Sequence, residues 1–380
     1  MLLERMKTFL LVLVSLCLLA TLTGFGLAFV RTWFEPLKAV ESVLTERTFR
    51  VYPNVTLHEL AHQVFDEGLA SHPDMVKWYI KHKGWDRKIR WGEYHVRPEM
   101  SLQDLLHNII HAKGMVAYRV TIPEGETFSG LLSTLRHNPN LSQQFSGMSD
   151  RAVMRNICQC QQRPEGMFFP DTYQFTWGNT ERVVLQQAYD RMRDVMGEAW
   201  AERDAGLPYK NWYEALIVAS LIEAETPVMA ERPVVSSVIL NRLTKRMRLQ
   251  IDPTVMYGLG KPYGSVLSKR DLRKKTPYNT YVIYGLPPTP IMLPSLTSIE
   301  AALHPAKTDY LYFVATGEGG HVFSKSYKGQ RRAVKRYRQK QADVKQQQDE
   351  VLSIFRHWQE RMIKLTSRLS MMLTQQYREA

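Results

Sequence analysis

The sequence predicts an α+β protein of 380 residues with one N-terminal transmembrane helix, a small α/β subdomain, a larger α+β domain and a C-terminal helix. Three observations support this class. Residues 8–30 carry no charge, and short units of strand, turn and helix follow from residue 51 onward. The last part of the chain repeats apolar side chains at alternating steps of four and three, which is typical of a packed amphipathic helix. The chain between the terminal helices is long enough for two domains with cores of their own.

The uncharged segment 8–30 has 23 residues, and a helix of that length crosses the roughly 30 Å core of a bilayer. A cleaved signal peptide normally has an apolar region of only about 7–15 residues. Cys17 suggests a lipoprotein signal, but Leu16 stands where such a signal has a small residue. We therefore predict an uncleaved anchor within residues 1–30. Basic residues flank the span on both sides and give a weak orientation signal. The long C-terminal part favours the non-cytoplasmic side.

The net charge of +13 suits a protein that lies beside anionic lipid or wall polymer, and it would equally suit nucleic acid. An extracytoplasmic location and the lack of a recognisable nucleic-acid motif in the sequence argue against nucleic acid. Cys158 and Cys160 form a Cys-x-Cys pair. A bridge between them would close a small, strained ring, so a structural or incidental role is expected and a metal site is not.

Three segments repeat one pattern: a short strand, a turn with Pro, a Ser or Thr helix cap and an amphipathic helix. They begin at Val51, Val96 and Thr121. Such units resemble the LysM type of glycan-binding module, most closely around residues 89–115. Ordinary α+β packing explains the same pattern, and the sequence leaves both interpretations open.

A carboxylate near the end of an apolar helix is the most informative feature. Apolar residues fill most of 215–222, Glu223 follows, and Pro227 disfavours helical geometry at Thr226. A carboxyl group in apolar surroundings is expected to have a raised pKa, which suits a general acid. Glu225 lies about 200° further around the helix, so a structural hydrogen bond or ion pair is expected there, with Arg232 and Arg242 as possible partners.

The segment His58-Glu59-Leu60-Ala61-His62 matches the H-E-x-x-H pattern of zinc peptidases. It lies on the helix of the first repeated unit, whose apolar face uses Leu60 and Val64, and no third ligand is evident in the sequence. A zinc peptidase therefore remains only a weak alternative, and neither a metal nor a cofactor is predicted.

At the C-terminus, the apolar residues Val351, Phe355, Trp358, Met362, Leu365, Leu369 and Met372 follow a heptad pattern beside basic residues. Docking on the parent domain, self-association and binding to an anionic membrane surface are all open. The narrow seam favours helix-to-helix packing.

Several long motifs occur in a fixed order: GEYHVRPEMSLQDLL, PEGMFFPDTYQF, SLIEAET, NRL, LQIDPTVMYGLG, YNTY, GLPPTPI and HPAKTDYLYFVATGEGGHVF. Over roughly residues 45–335 the chain resembles the YceG-like family of endolytic murein transglycosylases. The resemblance implies an anchor at 1–30, a LysM-like glycan-binding subdomain at 31–118 and a catalytic domain at 119–335. The basic C-terminal helix at 336–380 exceeds the family pattern.

The resemblance also implies a function. The chain would be a single-pass protein of the bacterial inner membrane with its catalytic domain in the periplasm. It would cut nascent peptidoglycan strands, with penicillin-binding wall synthases as possible partners. The first glutamate of the I-E-x-E-T motif, implied to be catalytic, falls on Glu223 here. The chemistry would need one carboxylate, because the C6 hydroxyl of N-acetylmuramic acid attacks within the same sugar.

The sugar ligands are expected among the polar residues around the motifs. The candidates for binding sugar or orienting Glu223 are Gln250, Asp252, Thr254, Tyr278, Asn279 and Tyr281. Asn279 and Gln250 stand first, because amides suit N-acetyl groups, and Phe169 is an additional stacking candidate. The structural alternative is that these residues only form turns and core. A non-catalytic wall-binding scaffold is the alternative function.

Overall fold

The computed structural model describes residues 2–34, 47–97 and 100–376. Contacts divide the chain into two compact units. The first comprises Met1–Ile122, Ser129–Gln161 and Asp171–Ala188, and the second comprises Pro123–Phe128, Gln162–Pro170 and Tyr189–Ala380. Helices and short strands occur in both units, which agrees with the predicted α+β class. The functional boundaries at residues 30, 118 and 335 stay predictions.

The helices are α1 Leu2–Phe34, α2 Leu57–Asp66, α3 Pro73–His82, α4 Leu102–His111, α5 Phe128–Arg136, α6 Asp150–Cys158, α7 Glu181–Glu202, α8 Trp212–Glu225, α9 Arg232–Thr244, α10 Asp252–Leu259, α11 Leu296–Leu303 and α12 Tyr327–Gln376. The strands are β1 Arg47–Val51, β2 Gly92–Val96, β3 Ala117–Thr121, β4 Thr172–Thr176, β5 Tyr312–Ala315 and β6 His321–Ser324. They form three antiparallel pairs, β1 with β2, β3 with β4, and β5 with β6.

Helix α1 contains the predicted span. Within the described part of the chain, Phe9–Leu27 is the one segment long and apolar enough to cross a membrane, with a mean hydropathy of 2.4 over 19 residues. Its apolar side chains are exposed in the folded chain. This is compatible with the predicted anchor.

The helix starts predicted in the first unit are confirmed. Thr56 caps α2 and Ser101 caps α4, each in a capping box closed by the acidic residue three positions later. Strands β1 and β2 enclose α2 and α3 in sequence, and Phe49 lies opposite Tyr94 in their register. Both aromatic side chains are buried in the core of this unit.

The capping box also bears on the H-E-x-x-H segment. The Glu59 carboxylate accepts hydrogen bonds from the backbone N–H of Thr56 at 2.7 Å and from its hydroxyl at 2.8 Å. It therefore serves as part of the helix cap. A zinc peptidase would need this carboxylate as its base, so the structure weakens that alternative.

Helix α6 ends at the Cys-x-Cys pair. The structure joins Cys158 and Cys160 by a disulfide, with their Cα atoms 5.1 Å apart, a separation within the usual range for such bonds. The sequence left open whether the two cysteines are bridged, and the structure has the bridge. Gln159 between them adopts a left-handed backbone conformation with φ of 53°, which brings the two cysteines together.

The second unit is built around α8. Its residues from Ala215 to Ile222 are all buried, which is typical of a helix that packs on every side. Helices α9 and α11 pack against it. Between residues 271 and 323 the structure has strand β5 and the start of β6, and Tyr278–Tyr281 forms turns.

Candidate active site

The last turn of α8 holds both glutamates of the predicted motif. The helix starts at the Asn211 cap, which accepts a hydrogen bond from the backbone N–H of Glu214 at 3.1 Å. It ends at Glu225, and Thr226 is extended with φ of −144° and ψ of 127°. This confirms that Pro227 stops the helix within a turn of Glu223.

Glu223 is held in a polar cage. Its Oε1 atom lies 3.0 Å from Nη2 of Arg232 at the start of α9. Its Oε2 atom accepts the backbone N–H of Ser295 at 2.9 Å and the Ser295 hydroxyl at 2.5 Å. Arg232 also donates to the hydroxyls of Ser295 and Thr297. The Glu223 and Arg232 side chains are 7% and 6% exposed.

The expectation that Glu223 lies in apolar surroundings is therefore wrong. The Glu223 carboxylate instead faces a guanidinium and two further hydrogen-bond donors, all supplied by polar groups. The sequence showed the helix on which Glu223 lies, but Arg232 and Ser295 reach it from two other elements. Its catalytic assignment stays a prediction.

Glu225 has the opposite surroundings. Within residues 2–34, 47–97 and 100–376, no hydrogen bond or ion pair holds its carboxyl group, so the expected structural partner is wrong. Arg232 pairs with Glu223, and Arg242 donates to the carbonyl oxygens of Leu249 and Leu311, each at 2.6 Å. Burial, together with the negative charge of Asp252, raises the pKa of Glu225 to about 8, and the charge of Arg242 opposes this shift only in part.

Polar side chains surround Glu225. Asp252 lies in the first turn of α10 and accepts the Tyr281 hydroxyl at 2.5 Å. Tyr263 is exposed and donates its hydroxyl to the carbonyl oxygen of Ala224. Burial raises the pKa of Tyr263, and the charges of Glu225 and then Glu223 raise it further. The residue Glu225 as a whole is partly exposed, but burial acts most strongly on its carboxyl group.

Two of the six predicted sugar ligands therefore lie close to Glu225, for which the sequence predicted only a structural role. Asp252 and Tyr281 both interact electrostatically with Glu225. Sequence reasoning missed Glu225 because it assumed an ion pair for it. A signal was present in the sequence, since the helix places Glu225 on the face of an otherwise apolar segment.

Thr254 and Asn279 have structural contacts, which was the alternative to sugar binding. Both are fully buried. The Asn279 amide donates to the carbonyl oxygens of Lys274 at 2.7 Å and Leu272 at 3.2 Å, and its oxygen accepts the Tyr281 N–H at 2.9 Å. Thr254 bonds to the Ile251 carbonyl oxygen at 2.6 Å. These contacts hold the loop that carries Tyr281 against α10 and leave no group to meet a sugar.

Gln250 and Tyr278 have different surroundings. Gln250 is exposed and adopts a left-handed backbone conformation with φ of 54°, and its sugar-binding role stays a prediction. The Tyr278 hydroxyl bonds to Thr289 at 2.9 Å, and its ring packs edge-on against Tyr257 with centroids 4.8 Å apart. Tyr278 therefore packs against α10 through the Tyr257 ring.

The aromatic loop after Pro164 packs in the second unit. Glu165 is buried, and its carboxylate accepts the Phe128 N–H at 3.0 Å and the Tyr257 hydroxyl at 2.9 Å. The Phe168 and Phe128 rings stack at 5.3 Å. Phe169 is also buried, so it belongs to the core and the expectation that it stacks on a sugar is wrong.

Comparisons with known proteins place the chain among related sequences. The YceG-like family matches residues 49–336. The chain is 32% identical over 277 residues to the endolytic murein transglycosylase of Bacillus subtilis (strain 168), covering 69% of this chain and 76% of that protein. It is 26% identical over 346 residues to the endolytic murein transglycosylase of Streptococcus pneumoniae serotype 2 (strain D39 / NCTC 7466), covering 82% of this chain and 61% of that protein.

A solved structure is also similar. The crystal structure of a putative yceG-like protein from Listeria monocytogenes aligns with a TM-score of 0.45 and 25% sequence identity, covering 75% of this chain and 97% of that one. The family match includes both glutamates, the Asp252 segment and the hairpin of β5 and β6. Because that match spans most of the sequence, the chain belongs to the YceG-like family.

Proposed function

We propose that this chain is a lytic transglycosylase, a lyase that cuts peptidoglycan glycan strands, and that Glu225 is its proton donor. The names of its relatives support the reaction class and the substrate. The observation that supports the residue is the buried Glu225 carboxyl group, which has no ion-pair partner in the described part of the chain and whose pKa is raised by burial to about 8. A carboxyl group with that pKa keeps its proton near neutral pH.

The proposed reaction needs one carboxyl group. Glu225 donates its proton to the oxygen between N-acetylmuramic acid and N-acetylglucosamine, and the bond from C1 to that oxygen breaks. The C6 hydroxyl of the same muramic acid then bonds to C1, and its proton returns to the Glu225 carboxylate. The products are a free N-acetylglucosamine hydroxyl and a 1,6-anhydro end. The attack is intramolecular, so no second carboxylate is needed to activate water.

Asp252 has a proposed role beside the donor. Its negative charge raises the pKa of Glu225, and the same charge would stabilise positive charge that develops at C1. The Tyr281 hydroxyl, 2.5 Å from Asp252, fixes the direction of that carboxylate. Glu223 would then position the end of α8 through Arg232 and Ser295.

The finer parts of the function are also proposals. Helix α1 would anchor the chain in the inner membrane with both units in the periplasm, where cleavage of nascent strands would end glycan polymerisation beside the wall synthases. The uncharged Phe9–Leu27 segment supports the anchor. Endolytic cleavage is supported by the names of the relatives.

Residues 31–118, which lie within the first unit, are the proposed glycan-binding subdomain. Its β1-α2-α3-β2 order encloses two helices between paired strands. An aromatic surface lies beside this arrangement. Trp177 meets Tyr52 edge-on at 5.3 Å, the Arg50 guanidinium lies 5.3 Å from the Trp177 ring, and Trp91 is partly exposed. Aromatic faces with an adjacent cation suit sugars that bear carboxylates.

The experiment uses the full-length protein in detergent with purified peptidoglycan and mass spectrometry of the fragments. The variants are Glu225→Gln, Glu223→Gln and, as a matched control on an exposed helix face, Glu198→Gln. We expect anhydro-ended fragments from the wild type and Glu198→Gln. Glu225→Gln should lose activity by at least about a hundredfold while its circular dichroism spectrum stays unchanged.

Other results would contradict the proposal in distinct ways. Normal cleavage by Glu225→Gln would remove Glu225 as the donor, and inactivity of a folded Glu223→Gln alone would return that role to Glu223. Reducing ends would indicate a hydrolase. Binding of peptidoglycan without cleavage by the wild type would support the scaffold alternative.

A further inference from the structure

Helix α12 exposes an apolar face that no part of the proposed reaction uses. The face consists of eight large side chains in fifteen positions, each more than half exposed: Val351, Leu352, Ile354, Phe355, Trp358, Met362, Ile363 and Leu365. Trp358 is 67% exposed. We propose that this apolar face of α12 lies in the surface of an anionic lipid bilayer.

The width of the face fits a lipid surface. At about 100° per residue, the side chains from Ile354 to Ile363 cover about half of the helix circumference. Arg356, Glu360 and Lys364 lie on the other half. A basic polar face opposite a broad apolar face with Trp and Phe is the pattern of helices that lie in the interface plane of a membrane.

Self-association fits less well. A coiled coil would bury the narrow seam of Val351, Phe355, Trp358, Met362 and Leu365 and would need charged pairs at the flanking positions. The flanking positions instead hold apolar Leu352 and Ile354 and the like-charged Arg361 and Arg368. The narrow seam alone favoured helix-to-helix packing. The exposed face is wider than that seam, so binding to a lipid surface takes the place of that expectation.

The first part of α12 adds electrostatic attraction to lipid. Seven basic residues precede its first acidic residue, Asp343: Lys328, Arg331, Arg332, Lys335, Arg336, Arg338 and Lys340. Clusters of about four to eight basic residues on or beside an amphipathic helix bind anionic lipids. The apolar face and this basic segment lie on one continuous helix of 50 residues.

The test uses the full-length protein, with Cys17→Ser in the background, reconstituted into vesicles of phosphatidylglycerol and phosphatidylcholine. An environment-sensitive fluorophore is attached at Phe355→Cys on the apolar face or, as the matched control, at Glu360→Cys on the polar face. The two probes lie on one helix five residues apart, so α1 affects both equally. Phospholipids with brominated acyl chains then quench whichever probe enters the bilayer.

We expect the probe at position 355 to be quenched at least about twofold more than the probe at 360. Replacing phosphatidylglycerol by phosphatidylcholine, or introducing Arg356→Glu with Arg361→Glu and Lys364→Glu, should remove most of that difference. Equal quenching at both positions, or none at either, would overturn the proposal. Crosslinking between two copies through position 355 without quenching by lipid would identify a second copy as the occupant and would also overturn it.

Discussion

Glu223 and Glu225 leave opposite sides of the last turn of α8 and meet opposite electrostatic surroundings. The Glu223 carboxylate lies 3.0 Å from the Arg232 guanidinium. The Glu225 carboxyl group is near another carboxylate, Asp252, and has no partner in the described part of the chain. Two identical side chains in one motif thus differ in their surroundings, and we propose Glu223 as a positioning group and Glu225 as the proton donor. The predictions below depend on this separation.

The pH dependence of cleavage should report the Glu225 proton. Because the donor must be protonated before the bond breaks, kcat/KM should fall as the pH rises through about 8. The measurement is the rate of release of anhydro-ended fragments across a pH series. If the rate already falls near 4.5, the ordinary pKa of a glutamate, the surroundings of Glu225 do not set the pKa of the proton donor.

Asp252→Asn should move that pH limb. Removing the neighbouring negative charge lowers the pKa of Glu225, since that charge is one of the two causes of the upward shift. The falling limb should therefore begin at lower pH, and Tyr281→Phe, which removes the hydroxyl bonded to Asp252, should leave the charge in place. The matched control is Asp309→Asn, whose carboxylate is 81% exposed beside Lys325. If the fall of the cleavage rate with pH is unshifted in Asp252→Asn, the charge of Asp252 does not act on the proton donor.

The free energy of unfolding should also depend on the Glu225 proton, and the contribution of Glu225 should fall as the pH rises. The folded-state pKa of Glu225, about 8, lies above its ordinary value of 4.5. Between these values the unfolded chain has released this proton and the native chain has kept it. The contribution of Glu225 to the free energy of unfolding is therefore complete below 4.5 and falls by about 1.4 kcal/mol per pH unit as the pH rises through the window.

Urea denaturation of the wild type and Glu225→Gln at several pH values tests this contribution. The variant should gain stability relative to the wild type as the pH rises, and the difference should level off above about 8. A difference that is independent of pH would mean that the folded chain does not perturb the Glu225 proton.

The ion pair of Glu223 should matter for stability. Glu223→Gln leaves the Arg232 guanidinium, 6% exposed, without its charged partner. Removing one member of a buried pair costs about 3–5 kcal/mol. The double variant Glu223→Gln with Arg232→Met should recover part of that loss. The exposed pair of Asp309 and Lys325 is the control, since breaking such a pair costs at most about 1 kcal/mol. Equal losses from both pairs would contradict the buried cage.

Substitutions of Asn279 and Gln250 should distinguish a structural role from a role in sugar binding. Asn279→Ala removes the donor shared by the carbonyl oxygens of Lys274 and Leu272, which should cost about 1–3 kcal/mol of stability. Gln250→Ala removes an exposed side chain, so it should leave stability within about 0.5 kcal/mol and raise KM if Gln250 binds sugar. The reverse pattern would restore Asn279 as a ligand.

Local rules predicted much of the fold. The caps at Thr56 and Ser101 follow from hydroxyl side chains placed before amphipathic segments. The end of α8 follows from Pro227, which restricts the backbone of the residue before it. For Tyr278–Tyr281 the sequence left sugar binding and turn structure open, because the Asn279 contacts that favour the turn come from carbonyl groups outside the segment.

By itself, the sequence determined the starts of α2 and α4, the end of α8, which segment is apolar enough to cross a membrane and which motif carries the carboxylates, because these depend on neighbours along the chain. Only the tertiary structure decided which glutamate is paired. Arg232, Ser295 and Asp252 approach the end of α8 from three separate helices. Electrostatic energy depends on distances in space, and the folded chain sets those distances between residues up to 72 positions apart.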